Sequence, residues 1–125
     1  MEHALTGSVG VTLVQGALVV TVTRDLGDGV LGSIRQAALD GVHRLGARRV
    51  VLDLGAVPFL DLEEFEGLRQ VARATGLLGA ETVMVGLRPG IIMHLIGAGA
   101  DTRGVRATLE LSDALGRGAG AGDGA

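Results

Sequence analysis

The stretch Arg48-Arg49-Val50-Val51-Leu52-Asp53-Leu54-Gly55 (RRVVLDLG) decides the fold. Its near-continuous apolar run is the kind found in a strand buried on both faces of a parallel sheet. A parallel strand reaches its neighbours only through long crossovers, so helices are expected on either side of it.

Downstream, Pro58 breaks the chain, and Asp61 opens a helix with Glu64 three residues later, a capping-box spacing with Asp in place of Ser or Thr. Phe65, Leu68, Val71, Ala72 and Leu78 are expected on its buried face, and Gly79 ends it. Glu81 to Leu87 (ETVMVGL) reads as the next strand. Pro89 sits where the first turn of a third helix begins, continuing through Ile92, Leu95 and Ile96 to stop at Gly97 and Gly99. Ala107 to Leu111 is expected as a short final strand, with Ser112 capping a last turn of SDAL.

Upstream, apolar residues recur at helical spacing at Leu31, Ile34, Ala37, Ala38, Val42 and Leu45, and Gly46 stops the helix. Asp25 to Gly29 carries two acids and two glycines. As a calcium loop it fails, because position twelve is Gln36 where a Glu is needed; the segment reads as a turn in which Asp28 caps the helix. Val9 to Gln15 and Ala17 to Arg24 are β-rich runs separated by Gly16, a hairpin spacing. The order β, β, α, β, α, β, α, β predicts an α/β domain, with helices packed on a mixed, mainly parallel sheet of about five strands. Residues 9–115 carry this pattern. Residues 1–8 are expected to be a flexible N-terminus and residues 116–125 a disordered, glycine-rich tail.

Composition narrows the chemistry. The 125 residues suit one core. That core must be aliphatic, since Phe59 and Phe65 are the only aromatic residues among 47% hydrophobic ones. Mean hydropathy is +0.44, yet the longest weakly polar run, Gly90 to Ala100, contains His94 and falls short of the ~20 apolar residues a spanning helix needs. No membrane insertion is expected, and MEHALTGSVG lacks the features of a signal peptide, so a cytoplasmic location follows. Eleven arginines without a lysine leave a net charge of −3 and no basic footprint for nucleic acid. The absence of cysteine removes disulfides and thiolate chemistry together.

No catalytic constellation emerges. Gly97-Ala98-Gly99 follows a helix, whereas a dinucleotide loop must enter one. His3, His43 and His94 show no metal-ligand spacing, and Ser8, Ser33 and Ser112 lack a nucleophile-elbow context. Asp61, Glu63, Glu64 and Glu66 do cluster, but acids in a first helical turn chiefly complement the helix dipole. A non-enzymatic protein without metal or cofactor is the expectation.

Several stretches together resemble the STAS domain of bacterial anti-sigma-factor antagonists, above all its stressosome branch. They are VVLDL (Val50 to Leu54), the turn through Pro58 into Leu60-Asp61, and Leu78-Gly79-Ala80-Glu81-Thr82-Val83. Val85-Gly86-Leu87-Arg88-Pro89 and Gly104-Val105 complete the set. The resemblance implies partner switching: an anti-sigma serine kinase or a related STAS protein binds the loop and helix after the central strand, and phosphorylation changes the partner. Pro58, Asp61, Leu62, Glu63, Glu64, Arg88 and His94 are the implied partner-binding residues. In the family a Ser or Thr follows the aspartate matching Asp61, and a Thr occupies the third helix. Here those positions are Leu62 and His94, neither of which carries a hydroxyl. Glu63 and Glu64 leave the first site permanently acidic. The resemblance allows homo- or hetero-oligomers, and its alternative is a cytoplasmic accessory subunit of a membrane transporter.

Overall fold

The computed structural model describes residues 3–6, 9–23, 26–27 and 29–116. Strands β1 (His3–Thr6), β2 (Val9–Val14) and β3 (Ala17–Val22) lead into helix α1 (Val30–Leu45). Strand β4 (Arg49–Asp53), helix α2 (Leu62–Leu77), strand β5 (Glu81–Val85) and helix α3 (Pro89–Gly97) follow, then strand β6 (Arg106–Thr108) and helix α4 (Leu111–Gly116).

The strands form one sheet whose spatial order is their chain order, β1 to β6. β1–β2 and β2–β3 pair antiparallel, and the remaining three pairs, β3–β4, β4–β5 and β5–β6, are parallel. The β2–β3 hairpin turns on two residues, Gln15 and Gly16, both at positive φ (53° and 82°). That is the turn geometry whose twist matches the flanking strands, and glycine at the second position carries it without strain.

The apolar run of β4 is explained by its two covered faces. Side chains alternate across a strand. Val50 and Leu52 join Leu18, Val20, Val22 and Met84 beneath α1 and α2, where Ile34, Ala38, Val42, Phe65, Leu68 and Val71 complete the main core. Val51 points the other way, into a smaller cluster with Val19, Val83, Val85 and Ala114 of α4. Arg49 ties α4 down: its guanidinium donates to the Ala114 carbonyl (3.0 Å) and to Glu81 (2.5 Å). Arg106 also pairs with Glu81.

Several expectations change. Of the first eight residues, expected to be flexible, residues 3–6 form a sixth strand on the outer edge of β2, whose backbone groups offer a ladder to pair with, and residues 1–2 and 7–8 lie outside the described residues. Leu78 and Leu45, expected on core stripes, are 52% and 46% exposed at the ends of their helices; Thr75 occupies the buried position instead and shares a hydrogen bond with Thr82 (2.6 Å). The last strand is shorter than expected, ending at Thr108, where the ladder with β5 stops. Leu111 therefore opens α4, which places Ser112 inside the helix and not at its cap. Asp28 lies outside the described residues, as does the tail beyond Gly116; the residue preceding α1 is Gly29, in a left-handed conformation.

The loops that leave β4 and β5 touch. Gly86, at φ 87°, lies so close to Gly55 that a Cβ would stand 2.8 Å from the Gly55 backbone. Leu54 N–H donates to the Val85 carbonyl (2.8 Å), and Gly86 N–H to that of Thr108 (3.1 Å). The loops that lead into α2 and α3 are thus held against each other at the carboxyl ends of the parallel strands.

Candidate functional site

The loop between β4 and α2 is anchored from below. Leu54, Val57 and Leu60 are buried, with Val57 N–H donating to the Leu54 carbonyl (3.0 Å). With those three side chains held down, Pro58 and Phe59 face outward, Phe59 with 49% of its surface exposed. An aromatic ring in water is unusual in a chain that has only two, and sequence reasoning missed it. The available signal was its place beside Pro58 in a turn, away from any apolar periodicity.

Asp61 then caps α2 as its spacing predicts. Its carboxylate accepts from Glu64 N–H (2.7 Å), and Glu64 Oε1 accepts from Asp61 N–H (3.0 Å), so the reciprocal box is closed. Both acids are committed to local backbone donors. The Glu63 side chain, in contrast, has no hydrogen bond or ion pair among the described residues. Leu62, the first residue of α2, is 40% exposed. It stands on the surface, outside the aliphatic interior.

α3 brings the second implied position against the loop that precedes α2. The His94 ring lies 5.1 Å from that of Phe59, inclined at 55°, so residues 35 apart in sequence meet on one surface. Met93 and Ile96 on the same helix are 73% and 62% exposed. A small apolar cavity of about 160 Å³ opens between Phe65 of α2, Ile92 and Ile96 of α3, and Val105. Arg88 precedes Pro89 as the cap residue of α3; its carbonyl accepts from Ile91 N–H (2.9 Å), while its exposed side chain makes no cap bond. The structure therefore joins Phe59 with His94 and Asp61 with Glu64, and leaves Arg88 apart from both contacts.

The fourth acid of the cluster, Glu66, faces elsewhere. It accepts from Arg69 Nε (2.9 Å) and Gln70 (2.7 Å), and these donors, Arg69 first, hold its carboxyl below the usual range. Arg69 also reaches Asp101 (3.3 Å) and the Arg103 carbonyl, tying α2 to the loop after α3. Hydrogen bonds from Arg103 keep Asp101 well below the ordinary aspartate value. Such saturated carboxylates act as fasteners, since a general acid or base must exchange its proton near the working pH. Among the described residues, no three His, Asp or Glu side chains converge to hold a metal ion. No helix there is long and apolar enough to cross a membrane.

The STAS domain family matches residues 9–115, nearly the whole described chain. This chain is a STAS domain. The RsbT co-antagonist protein RsbRA of Bacillus subtilis (strain 168) is 27% identical over 90 residues, 64% of this chain and 33% of that protein. The chain thus spans a third of the length of that relative. Among solved structures, RsbS of Moorella thermoacetica, in a serine-to-glutamate variant, superposes with a TM-score of 0.72 at 25% identity over 86% of this chain and 91% of the other. A structure of the molecular architecture of the stressosome, a signal integration and transduction hub, gives 0.69 at 24% identity over 84% and 91%. The STAS domain here is thus related to stressosome and anti-sigma-antagonist proteins, in agreement with the resemblance read from VVLDL, Leu60-Asp61 and Arg88-Pro89.

Proposed function

We propose that this STAS domain is a non-enzymatic regulatory module of the anti-sigma-antagonist or stressosome type. It grips another protein through the surface built by Pro58, Phe59, Asp61, Leu62, Glu63 and Glu64 with Arg88 and His94. The single observation that carries the reading is the exposed Leu62 at the capped start of α2, three residues after Phe59, whose ring meets His94. Apolar and aromatic side chains ringed by charged ones are the usual anchors of protein interfaces, and a rigid helix start presents them with little entropy to lose.

The partner is an anti-sigma-type serine kinase or a related STAS protein, and recognition does not depend on a hydroxyl at Leu62 or His94. With no phosphate to add or remove at these two positions, the acidic edge at Glu63 is permanent and the partner's own state controls binding. The test is affinity purification from native lysate with wild type and Leu62→Asp. The variant keeps its fold, because Leu62 lies outside the core, and loses the partner by at least about tenfold. Unchanged recovery of the same partner by Leu62→Asp sinks the proposal. Recovery of a transporter ATPase and permease by wild type replaces it with the transporter-subunit reading.

A further inference from the structure

The main core runs out at the β6 edge of the sheet, and a cavity opens where it ends. Ala107 of β6 is registered with Met84 of β5, and registered partners in a parallel ladder share a face, so Ala107 points to the side on which Met84 joins the main core. Its methyl is too short to complete the layer: Met84 is buried, whereas Ala107 is exposed. The space left, about 160 Å³, is bounded by the buried Phe65 and Leu87 and by Ile92, Ile96 and Val105. Thr102 contributes the one polar side chain of the lining. A water molecule needs about two to four polar partners to be held, so the cavity suits an apolar guest better than water. Its walls are braced. Arg69 of α2 reaches Asp101 (3.3 Å) and the Arg103 carbonyl (3.2 Å). The chain then turns tightly, with Val105 N–H donating to the Thr102 carbonyl (3.2 Å) and Gly104, at φ 78°, supplying the left-handed conformation. α3 is anchored by the buried Ile91 and Leu95. At about 100° per residue, Ile92 and Ile96 fall on one flank of α3, and His94, which meets Phe59, on the opposite flank. The cavity and the surface around Leu62 thus use different sides of the same helix.

We propose that this cavity is a binding site for a small, neutral, apolar molecule of about the size of benzene or toluene. A protein cavity of about 150 Å³ lined by Leu, Ile and Phe side chains stays dry and takes up benzene, and the space beside Ala107 matches it in volume and in lining. No charged side chain lines it, so an ionised ligand would give up hydration there without gaining a partner. Walls that are already braced leave little ordering entropy to oppose binding.

Toluene is the probe, titrated into the full chain and followed through the NMR shifts of side-chain methyl groups. Wild type should show saturable shifts at Ile92, Ile96 and Val105 and none at the exposed Leu45 and Leu77, which lie at the far ends of α1 and α2. Ala107→Leu fills the space from β6 and should weaken binding by roughly tenfold or more, while unfolding at the wild-type temperature or above it. Ile96→Asp sets a charge on a side chain that is already 62% exposed, so the fold stands and toluene binding falls by a similar factor. Shifts that do not saturate, equal shifts at Leu45 and Leu77, or either variant binding toluene as tightly as wild type overturns the proposal. Loss of the lysate partner by Ala107→Leu would assign the cavity to a side chain of that partner and overturns it as well. Continued capture by Ala107→Leu, with toluene binding lost, separates the two sites. The toluene titration does not depend on Leu62, so failure of the cavity and failure of the partner surface are read apart.

Discussion

The two faces of the sheet are built unequally. One carries two sixteen-residue helices, α1 and α2, over a broad aliphatic core; the other carries the six-residue α4 over four valines. The first face is held by interdigitated leucines and isoleucines. The second depends on a side chain from the sheet itself: Arg49 reaches out to the Ala114 carbonyl, at the cost of a buried Nε without a partner. A thick face is stabilised by area and a thin one by a tether, so substitutions on the two should differ in size and also in kind.

Neighbouring positions of β4 put this to its hardest test. Leu52→Ala opens a cavity under α1 and α2 and should cost about 2–5 kcal/mol in denaturant unfolding. Val51→Ala, one residue away and facing α4, should cost nearer 1.5 kcal/mol, in line with two buried methyls. Equal losses would mean that both faces are packed alike. Next in size is Arg49→Met, which removes the donor to Ala114 and should lower stability by about 1–2 kcal/mol. Its signature is local: hydrogen exchange should speed up in α4 while the amides of α1 stay protected. Uniform loss of protection would show that the tether serves the whole fold. Smallest is Asp61→Ala, which opens the capping box for about 1 kcal/mol. It should fray the first turn of α2 and leave α4 unchanged, the reverse pattern of Arg49→Met.

How much of this was legible in the sequence follows from the range of the interactions. The capping box was readable because Asp61 and Glu64 are three residues apart and answer only to each other. The burial of β4 on two faces was readable because alternation fails there. What covers its second face was not: the Arg49–Ala114 bond joins residues 65 apart, and four valines and an alanine have no local pattern that names their partner. The site divides in the same way. Asp61, Leu62 and the helix they open follow from local chemistry and the family resemblance, whereas Phe59 reached the surface unannounced, because its contact with His94 exists only once α3 has packed. Strand β1 escaped notice because edge pairing is made by backbone groups, which every sequence possesses.

The strand order has a temporal consequence. Each strand of this sheet docks on the one synthesised just before it. The growing polypeptide can therefore be assembled by accretion as it leaves the ribosome, without holding an early edge open for a late insertion. The last pieces to arrive are a three-residue strand and the α4 strap, so the newborn domain passes through a stage in which Val19, Val51, Val83 and Val85 face water. During that interval those valines lack the cover that Ala114 gives them in the finished domain.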